Sequence, residues 1–322
     1  MNERIAVLIP ALNEEQTIAE VVHAFQAACP RARIVVFDNA STDGTARSAR
    51  AAGAEVRLEP RRGKGHVVQS MFRTIDADVY VMVDGDATYP ADRIDDLIHP
   101  ILDGSADMVI GSRLHRTSES DFRALNLMGN IFYATLLRGL FGVRITDLLS
   151  GYRAFSRRVV KTLPLVGGGF ETEAEMTIKA VHRGFRVLEV PVSLTSRPHG
   201  SASKIRIVQD GLLILNAIVS LFRDYKPLTF FGALALVLAA TASLAWLGGS
   251  PIGAIAFALT AAATAATGAV LHTVTRHFQQ LEVMVQRMVE EREEREQREE
   301  RSIISPDEAR PPFHAAARGL QT

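Results

Sequence analysis

The sequence predicts an α/β fold built on a mostly parallel sheet flanked by helices, and three observations carry that prediction. Short apolar runs rich in β-branched residues alternate with helix-length segments from residue 4 to about 111, the order expected of βαβ units with right-handed crossovers. Several of the runs are apolar throughout instead of alternating, as strands covered on both faces are. One of them, Val79 to Val83, ends abruptly in Asp84-Gly85-Asp86, and ligands of open α/β sheets bind beyond the carboxyl ends of the strands.

Along the chain, Ile5–Ile9 reads as the first strand and Glu14–Ala28 as a helix. Arg33–Phe37 (strand), Thr42–Ala51 (helix), Glu55–Leu58 (strand), Gly65–Ile75 (helix), Val79–Val83 (strand), Ile94–Leu102 (helix) and Met108–Ile110 (strand) continue the alternation. Then regularity drops. Leu114–Phe122 is polar, Arg123–Phe141 is an amphipathic to apolar helix, and Val187–Leu194 is a further strand. Lys204–Phe222 is apolar behind a cationic start, but Gln209-Asp210 makes it too polar to span a bilayer. It reads as an interfacial helix lying on the membrane.

Two late stretches lack charge altogether. Leu228–Gly248 and Ile252–Val274 each have the length of about 20 residues that a helix needs to cross a bilayer core of about 30 Å. The second is rich in Ala and Thr, which suits close helix packing, though a buried soluble helix is the competing reading. Gly249-Ser250-Pro251 permits only a tight hairpin between them. Arg223 and Lys226 precede the first span and Arg276 follows the second, so the positive-inside rule puts both termini in the cytoplasm of a multi-pass membrane protein. Past Arg276, Phe278, Leu281, Val285 and Met288 have coiled-coil spacing before a tract of Glu, Arg and Gln. A solvated helix and a homo-oligomer contact are both open readings. The division predicted is 1–203 for the sheet domain, 204–226 for the interfacial helix, 227–275 for the hairpin and 276–322 for a charged, then disordered, tail.

Lys plus Arg and Asp plus Glu both total 36, so net charge gives no generic attraction to nucleic acid. Cys29 is the only cysteine, which excludes an intrachain disulfide and fits a reducing compartment. Met1–Arg4 leads directly into the first strand with no signal-peptide pattern.

The chemistry centres on residues 84 to 86. On an extended chain, residues two apart project to one side, so Asp84 and Asp86 can aim at one point past the strand. Two carboxylates without nearby His or Cys suit Mg²⁺ or Mn²⁺, completed by water and substrate phosphates; the alternative is a cap on the helix at Ala91–Leu102. Pro10-Ala11-Leu12-Asn13-Glu14 and Asp38-Asn39-Ala40-Ser41-Thr42 end the first two strands at the same edge. Asp38 is placed to accept hydrogen bonds from a ribose or base, whereas Ser41 and Thr42 read as helix caps. No Gly-x-Gly-x-x-Gly or Walker loop follows the first strand, which argues against NAD and P-loop chemistry. Pro60-Arg61-Arg62-Gly63-Lys64-Gly65 offers cations and glycines before a helix, a site for a diphosphate or nucleotide. His66 and His182 read as surface residues.

These motifs continue in order with Gly111-Ser112-Arg113, Thr146-Asp147-Leu148-Leu149-Ser150-Gly151-Tyr152-Arg153, Gly169-Phe170-Glu171-Thr172-Glu173, Glu189-Val190-Pro191 and Arg197 with Ser203-Lys204. The ordered set resembles the family 2 glycosyltransferases of GT-A fold, and within them the polyprenyl-phosphate branch, similar to dolichyl-phosphate mannose synthases and bacterial undecaprenyl-phosphate glucosyltransferases. The resemblance covers residues 4 to about 206. It implies that Pro10, Leu12, Glu14 and Asp38 hold the nucleoside, with Lys64 and Gly85 also on the nucleotide sugar. Asp84 and Asp86 would hold Mg²⁺ or Mn²⁺ through the donor diphosphate; where relatives often have Gln two residues beyond, this chain has Thr88. Arg113, Arg197 and Lys204 would clamp phosphates, and Arg123 would lie beside the lipid phosphate.

The activity implied is metal-dependent, inverting transfer of one sugar from a nucleotide sugar, UDP-linked in preference to GDP-mannose, to polyprenyl phosphate at the cytoplasmic face of a bacterial-type inner membrane. A polysaccharide synthase, a transferase with a soluble acceptor and an inert membrane scaffold are the competing readings. Asp147 and Glu173 are open as sugar-hydroxyl ligands, Asp147 equally as a loop hydrogen-bond partner.

Overall fold

A computed structural model describes residues 3–113, 121–169, 171–194 and 207–304. Its sheet comprises β1 (Ile5–Ala11), β2 (Arg33–Asp38), β3 (Glu55–Leu58), β4 (Val79–Met82), β5 (Met108–Ser112), β6 (Arg153–Ser156) and β7 (Val187–Pro191). The order across the sheet is β3-β2-β1-β4-β6-β5-β7. β6 runs antiparallel to both β4 and β5, and every other pairing is parallel. The apolar strands are buried on both sides, as their composition requires. Leu8, Val35, Phe37 and Tyr80 face one core, and Val7, Ile9, Val36 and Val81 face the other.

The helices are α1 (Ile18–Ala28), α2 (Thr45–Ala51), α3 (Lys64–Thr74), α4 (Ile94–Leu102), α5 (Asp121–Phe141), α6 (Arg157–Thr162), α7 (Thr172–His182), α8 (Ile207–Tyr225), α9 (Pro227–Leu247) and α10 (Pro251–Ile304). α1 and α2 begin three or four residues later than their sequence patterns predict. Asn13 takes a left-handed φ of 51°, and Thr45 is used by Asp43 and by the Glu14 N–H, which breaks helical continuity there. Neither Ser41 nor Thr42 caps α2; its cap position is Gly44, with no side-chain hydrogen bond.

Three elements of the sheet domain escape the sequence pattern: β6, the six-residue α6 and α7. β6 has Arg153 near its start, a residue unlike a buried strand, yet Arg153 is fully buried. Its guanidinium donates to the carbonyls of Ser150 and Leu148 at 2.8 and 2.6 Å and to Thr177 Oγ1 at 2.8 Å. α7 lacks an apolar stripe because Glu173, Glu175 and Lys179 are all buried on it. Lys179 Nζ lies 2.6 Å from Glu175, and the pairing permits that burial.

α8 buries Ile214 and Ile218 against the sheet domain and leaves Leu212, Leu213 and Val219 outside, the two-sided pattern of a helix lying on an apolar surface. α9 and α10 form a hairpin turning at Gly249, whose φ is +79°. Both are long and apolar enough to cross a membrane. Ala235, Ala242, Ala254 and Ala261 are buried, and a Cβ at Gly268 would meet Phe231, so small residues bring the two helices together. α10 does not stop where the second apolar stretch ends; it continues to Ile304.

Candidate active site

The carboxyl edge of β1, β2 and β4 collects the polar loops, and Asn39 binds them together. Its N–H donates to the Ala11 carbonyl at 2.8 Å, its side-chain amide donates to the carbonyls of Glu59 and Arg61, and its Oδ1 accepts the Gly63 N–H at 2.8 Å. Asn39 therefore does more than turn the chain. Beside it Asp38 is 6% exposed, with Oδ1 lacking any hydrogen-bond partner among the described residues. An orphaned buried acceptor is costly unless something arrives to donate to it.

Glu59 fixes the next loop. The Arg61 guanidinium donates to it twice, at 2.9 and 3.0 Å, the Arg61 backbone N–H donates at 2.9 Å, and Ser70 Oγ donates as well. The Arg61 hydrogen bonds, ahead of the opposing effect of burial, lower the Glu59 pKa to about 2. A carboxyl depressed in the folded state stabilises it fully above its unfolded pKa and loses that contribution as pH falls through the folded value. Melting temperature should accordingly decline between about pH 4.5 and about pH 2, and Glu59→Gln should flatten that segment of the profile while costing about 1–3 kcal/mol at neutral pH. Thermal melts of both proteins across that range check this.

Gly63 and Gly65 have a structural reason that differs from the phosphate cradle their pattern suggests. Gly63 has φ +124°, and a Cβ on it would overlap the Gly168 carbonyl, while one on Gly65 would overlap the Gly167 carbonyl. The Gly65 N–H donates to the Gly168 carbonyl at 3.2 Å. The glycines thus let residues 167–168 pass tightly over the start of α3. That contact delivers Lys64 to the centre of the site: its Nζ lies 2.6 Å from Asp84 Oδ1 and 2.6 Å from Glu173 Oε1. Burial works against its charge, but Asp84 and Glu173 outweigh burial and raise the Lys64 pKa. Glu173 is 3% exposed, and its Oε2 has no hydrogen-bond partner among the described residues.

β4 ends at Met82, so Asp84 and Asp86 do not sit on an extended strand, and the two-residue alternation does not govern them. The chain turns instead through Ala87, at φ +57°. Asp86 is buried and accepts from the Thr88 N–H at 3.2 Å and from Thr88 Oγ1 at 2.6 Å. Thr17 Oγ1 donates to the Gly85 carbonyl at 2.7 Å, anchoring the turn. Gly151 lines Asp84 so closely that a Cβ there would enter the carboxylate. The pair does not cap the following helix, which starts with a 3₁₀ turn at Ala91–Arg93 lacking any side-chain cap. Asp84 and Asp86 are carboxylate oxygen donors fixed in place, Asp84 Oδ1 by Lys64 and Asp86 Oδ1 by Thr88. That set suits a hard divalent cation completed by phosphates and water, although no cluster of three or more His, Cys, Asp or Glu groups exists among the described residues.

Arg113, at the end of β5, is engaged by Asp147 through two side-chain bonds of 2.7 and 2.8 Å, and its N–H donates to the same carboxylate. Asp147 is fully buried, and its N–H and that of Thr146 donate to Glu189. Asp147 is therefore a partner of Arg113, closer to the loop role than to a sugar ligand. Pro10, Leu12 and Glu14 lie at the end of β1 and in the loop that follows, each partly exposed. Arg197 and Lys204 lie outside the described residues; Arg123 lies in α5, its side chain likewise outside them. His66 and His182 are not simple surface residues. Both are partly buried; His66 Nδ1 has no hydrogen-bond partner among the described residues, and His182 packs on Tyr225 with ring centroids 4.1 Å apart.

The role of Lys64 as a bridge between Asp84 and Glu173 was the main feature beyond sequence reasoning. Its only trace in the sequence is the match of two glycine clusters, Gly63-Lys64-Gly65 and Gly167-Gly168-Gly169, far apart along the chain.

A family model described as glycosyl transferase family 2 matches residues 6–163. Glycosyltransferase AglJ of Haloferax volcanii is 32% identical over 240 residues, covering 74% of this chain and 78% of that protein. The polyprenol monophosphomannose synthase of Mycolicibacterium smegmatis is 30% identical over 222 residues, covering 63% and 83% respectively. A dolichyl-phosphate hexose transferase of Haloferax volcanii is 32% identical over 194 residues, covering 60% and 83%. Among solved structures, glucosyl-3-phosphoglycerate synthase from Mycobacterium tuberculosis, crystallised with Mn²⁺, UDP-glucose and phosphoglyceric acid, superposes with a TM-score of 0.56 at 23% identity over 68% of this chain and 79% of its own. That likeness shows the shared GT-A fold. The chain belongs to glycosyl transferase family 2.

Proposed function

We propose that this glycosyltransferase moves one sugar from a nucleotide sugar, UDP-linked by preference, to a polyprenyl phosphate at the cytoplasmic membrane surface, and that it inverts the anomeric centre. The observation that carries this reading is the direct join between the sheet domain and the first apolar helix. Lys226 Nζ, at the start of α9, donates to the Leu140 carbonyl at the end of α5, 2.9 Å away, which favours a site held at a bilayer where lipid phosphates are the available acceptors. The names of the mannose synthase and hexose transferase relatives support the same acceptor class. In this reading residues 1–203 are catalytic, 204–226 lie at the interface, 227–275 span the membrane and 276–322 return to the cytoplasm.

In this proposal Pro10, Leu12, Glu14 and Asp38 hold the nucleoside, the orphaned Asp38 Oδ1 accepting a hydroxyl or N–H. Asp84 and Asp86 would hold Mg²⁺ or Mn²⁺, which when bound neutralises charge on the departing diphosphate. Lys64 keeps Asp84 in place. Arg113, Arg197 and Lys204 offset phosphate charge, and Arg123 approaches the acceptor phosphate. That phosphate is already largely anionic at pH 7, so the attack requires positioning and charge stabilisation more than a general base.

Transfer of radiolabelled sugar from UDP- and GDP-sugars to undecaprenyl phosphate in membranes, with and without Mg²⁺ or Mn²⁺, tests the proposal. The expected result is metal-dependent label in a lipid product, absent with Asp86→Ala. Donor hydrolysis without lipid product would move the acceptor to a soluble or polysaccharide molecule, and no turnover with any donor would favour a scaffold.

A further inference from the structure

α10 has two unlike faces. The one turned to α9 and the sheet domain is small or polar: Ala254 and Ala261 are buried, Gly268 abuts Phe231, Thr275 donates to the Asp224 carbonyl, and Gln279 lies 2.9 Å from the His182 ring. On a different face, Leu271, Val274, Phe278, Leu281, Val285 and Met288 recur in steps of three and four and are between 38% and 67% exposed. Such steps average 3.5 residues, the period of a left-handed coiled-coil seam. The last four lie past Val274, where the apolar stretch ends, so burial in a bilayer core does not account for them. In the same register the next positions are Arg292 and Arg295, so the seam closes at Met288.

We propose that this stripe docks a second copy of the same chain, forming a short parallel coiled coil where α10 leaves the membrane. The inference rests on the membrane-spanning reading of the hairpin. Two copies in one bilayer share a topology, so their α10 helices emerge side by side, parallel and at the same height. Each stripe then meets its own counterpart in register, as a two-fold contact requires. Outside the membrane the seam places Phe278 and Val285 at one position and Leu281 and Met288 at the other; the Val285 and Leu281 pair matches the β-branched and leucine alternation that favours two strands, and the shared topology selects the two-fold arrangement. The positions turned away from this seam outside the membrane include Gln279, Gln280 and Val283. From Leu271 to Met288 the seam spans about 26 Å of helix, too short to hold two free helices together in water. Confinement in the bilayer raises the effective concentration and completes the contact.

Single-cysteine cross-linking of the full chain in native membranes tests this. Cys29 is buried, so the unsubstituted protein is the blank. Under mild oxidation, Leu281→Cys and Met288→Cys should give a covalent species of twice the chain mass in several-fold higher yield than Gln280→Cys and Val283→Cys. Adding Leu281→Glu and Val285→Glu to Met288→Cys should lower its yield to the off-seam level. Equal yields at all four positions, no dimer at any of them, or an adduct of another mass would overturn the proposal, the last by identifying a different partner. Alkaline carbonate extraction of the same membranes reports the hairpin separately. Release of the chain refutes the membrane reading whatever the cross-link pattern, and retention with equal yields refutes the seam alone.

Discussion

Asp86→Asn should lower metal-dependent sugar transfer by about 10³-fold, on the scale of losing a principal group that stabilises developing charge. Asparagine retains an oxygen that can accept from Thr88, so the turn through Ala87 should persist and the melting temperature should change little. What disappears is a negative oxygen donor in a position where only Asp84 supplies another. Initial rates at several Mg²⁺ and Mn²⁺ concentrations, with melts in parallel, check the prediction. A variant that keeps more than a tenth of wild-type transfer would remove Asp86 from the metal site.

Lys64→Met should produce the largest loss of stability, about 3–5 kcal/mol, because it leaves a buried carboxylate without its cation. Glu173 is the weak point of that arrangement: it is 3% accessible, its second oxygen has no hydrogen-bond partner among the described residues, and Lys64 is the ion pair of its first oxygen. Methionine keeps most of the volume of lysine, so the effect reports charge more than packing. Adding Glu173→Leu to Lys64→Met should recover much of the stability, since a buried ion pair replaced by apolar groups of similar size is often neutral. Transfer activity should not return, because Asp84 is still without its partner. Denaturant melts of the single and double variants, with the sugar-transfer assay, separate the two effects. The raised pKa of Lys64 gives the sign with pH. Its contribution is complete below the unfolded lysine value of about 10.4 and fades only as pH rises through the higher folded value, so the difference between wild type and Lys64→Met should be insensitive to this lysine across neutral pH.

Much of the fold is local in origin, and the sequence determined that part by itself. Parallel strands such as β1 and β4 come from continuous apolar runs, Ile5–Ile9 and Val79–Val83, whose composition suits burial on both faces. The hairpin of α9 and α10 follows from uncharged stretches of spanning length with a Gly-Ser-Pro turn between them. The position of Asp38, Asp84 and Asp86 at one sheet edge follows because β2 ends at Asp38, β4 ends two residues before Asp84, and the two strands run in the same direction. The family was equally legible, carried by the order of short motifs from Pro10 to Pro191.

Only the tertiary structure decided how the charged residues are spent. β6 enters the sheet although Arg153 contradicts a buried strand, because the carbonyls of Leu148 and Ser150 and the Thr177 hydroxyl are there to receive its guanidinium. α7 carries no apolar stripe, because its buried carboxylates meet lysines, one of them on α3. Arg113 meets Asp147, and Gly63 and Gly65 are needed for the passage of residues 167–168, across separations that no periodicity records. Apolar burial depends on a residue's own side chain and its near neighbours, so it leaves a pattern in sequence. A buried charge depends on one partner at one distance, and that partner is fixed only when strands and helices far apart in the chain are brought together.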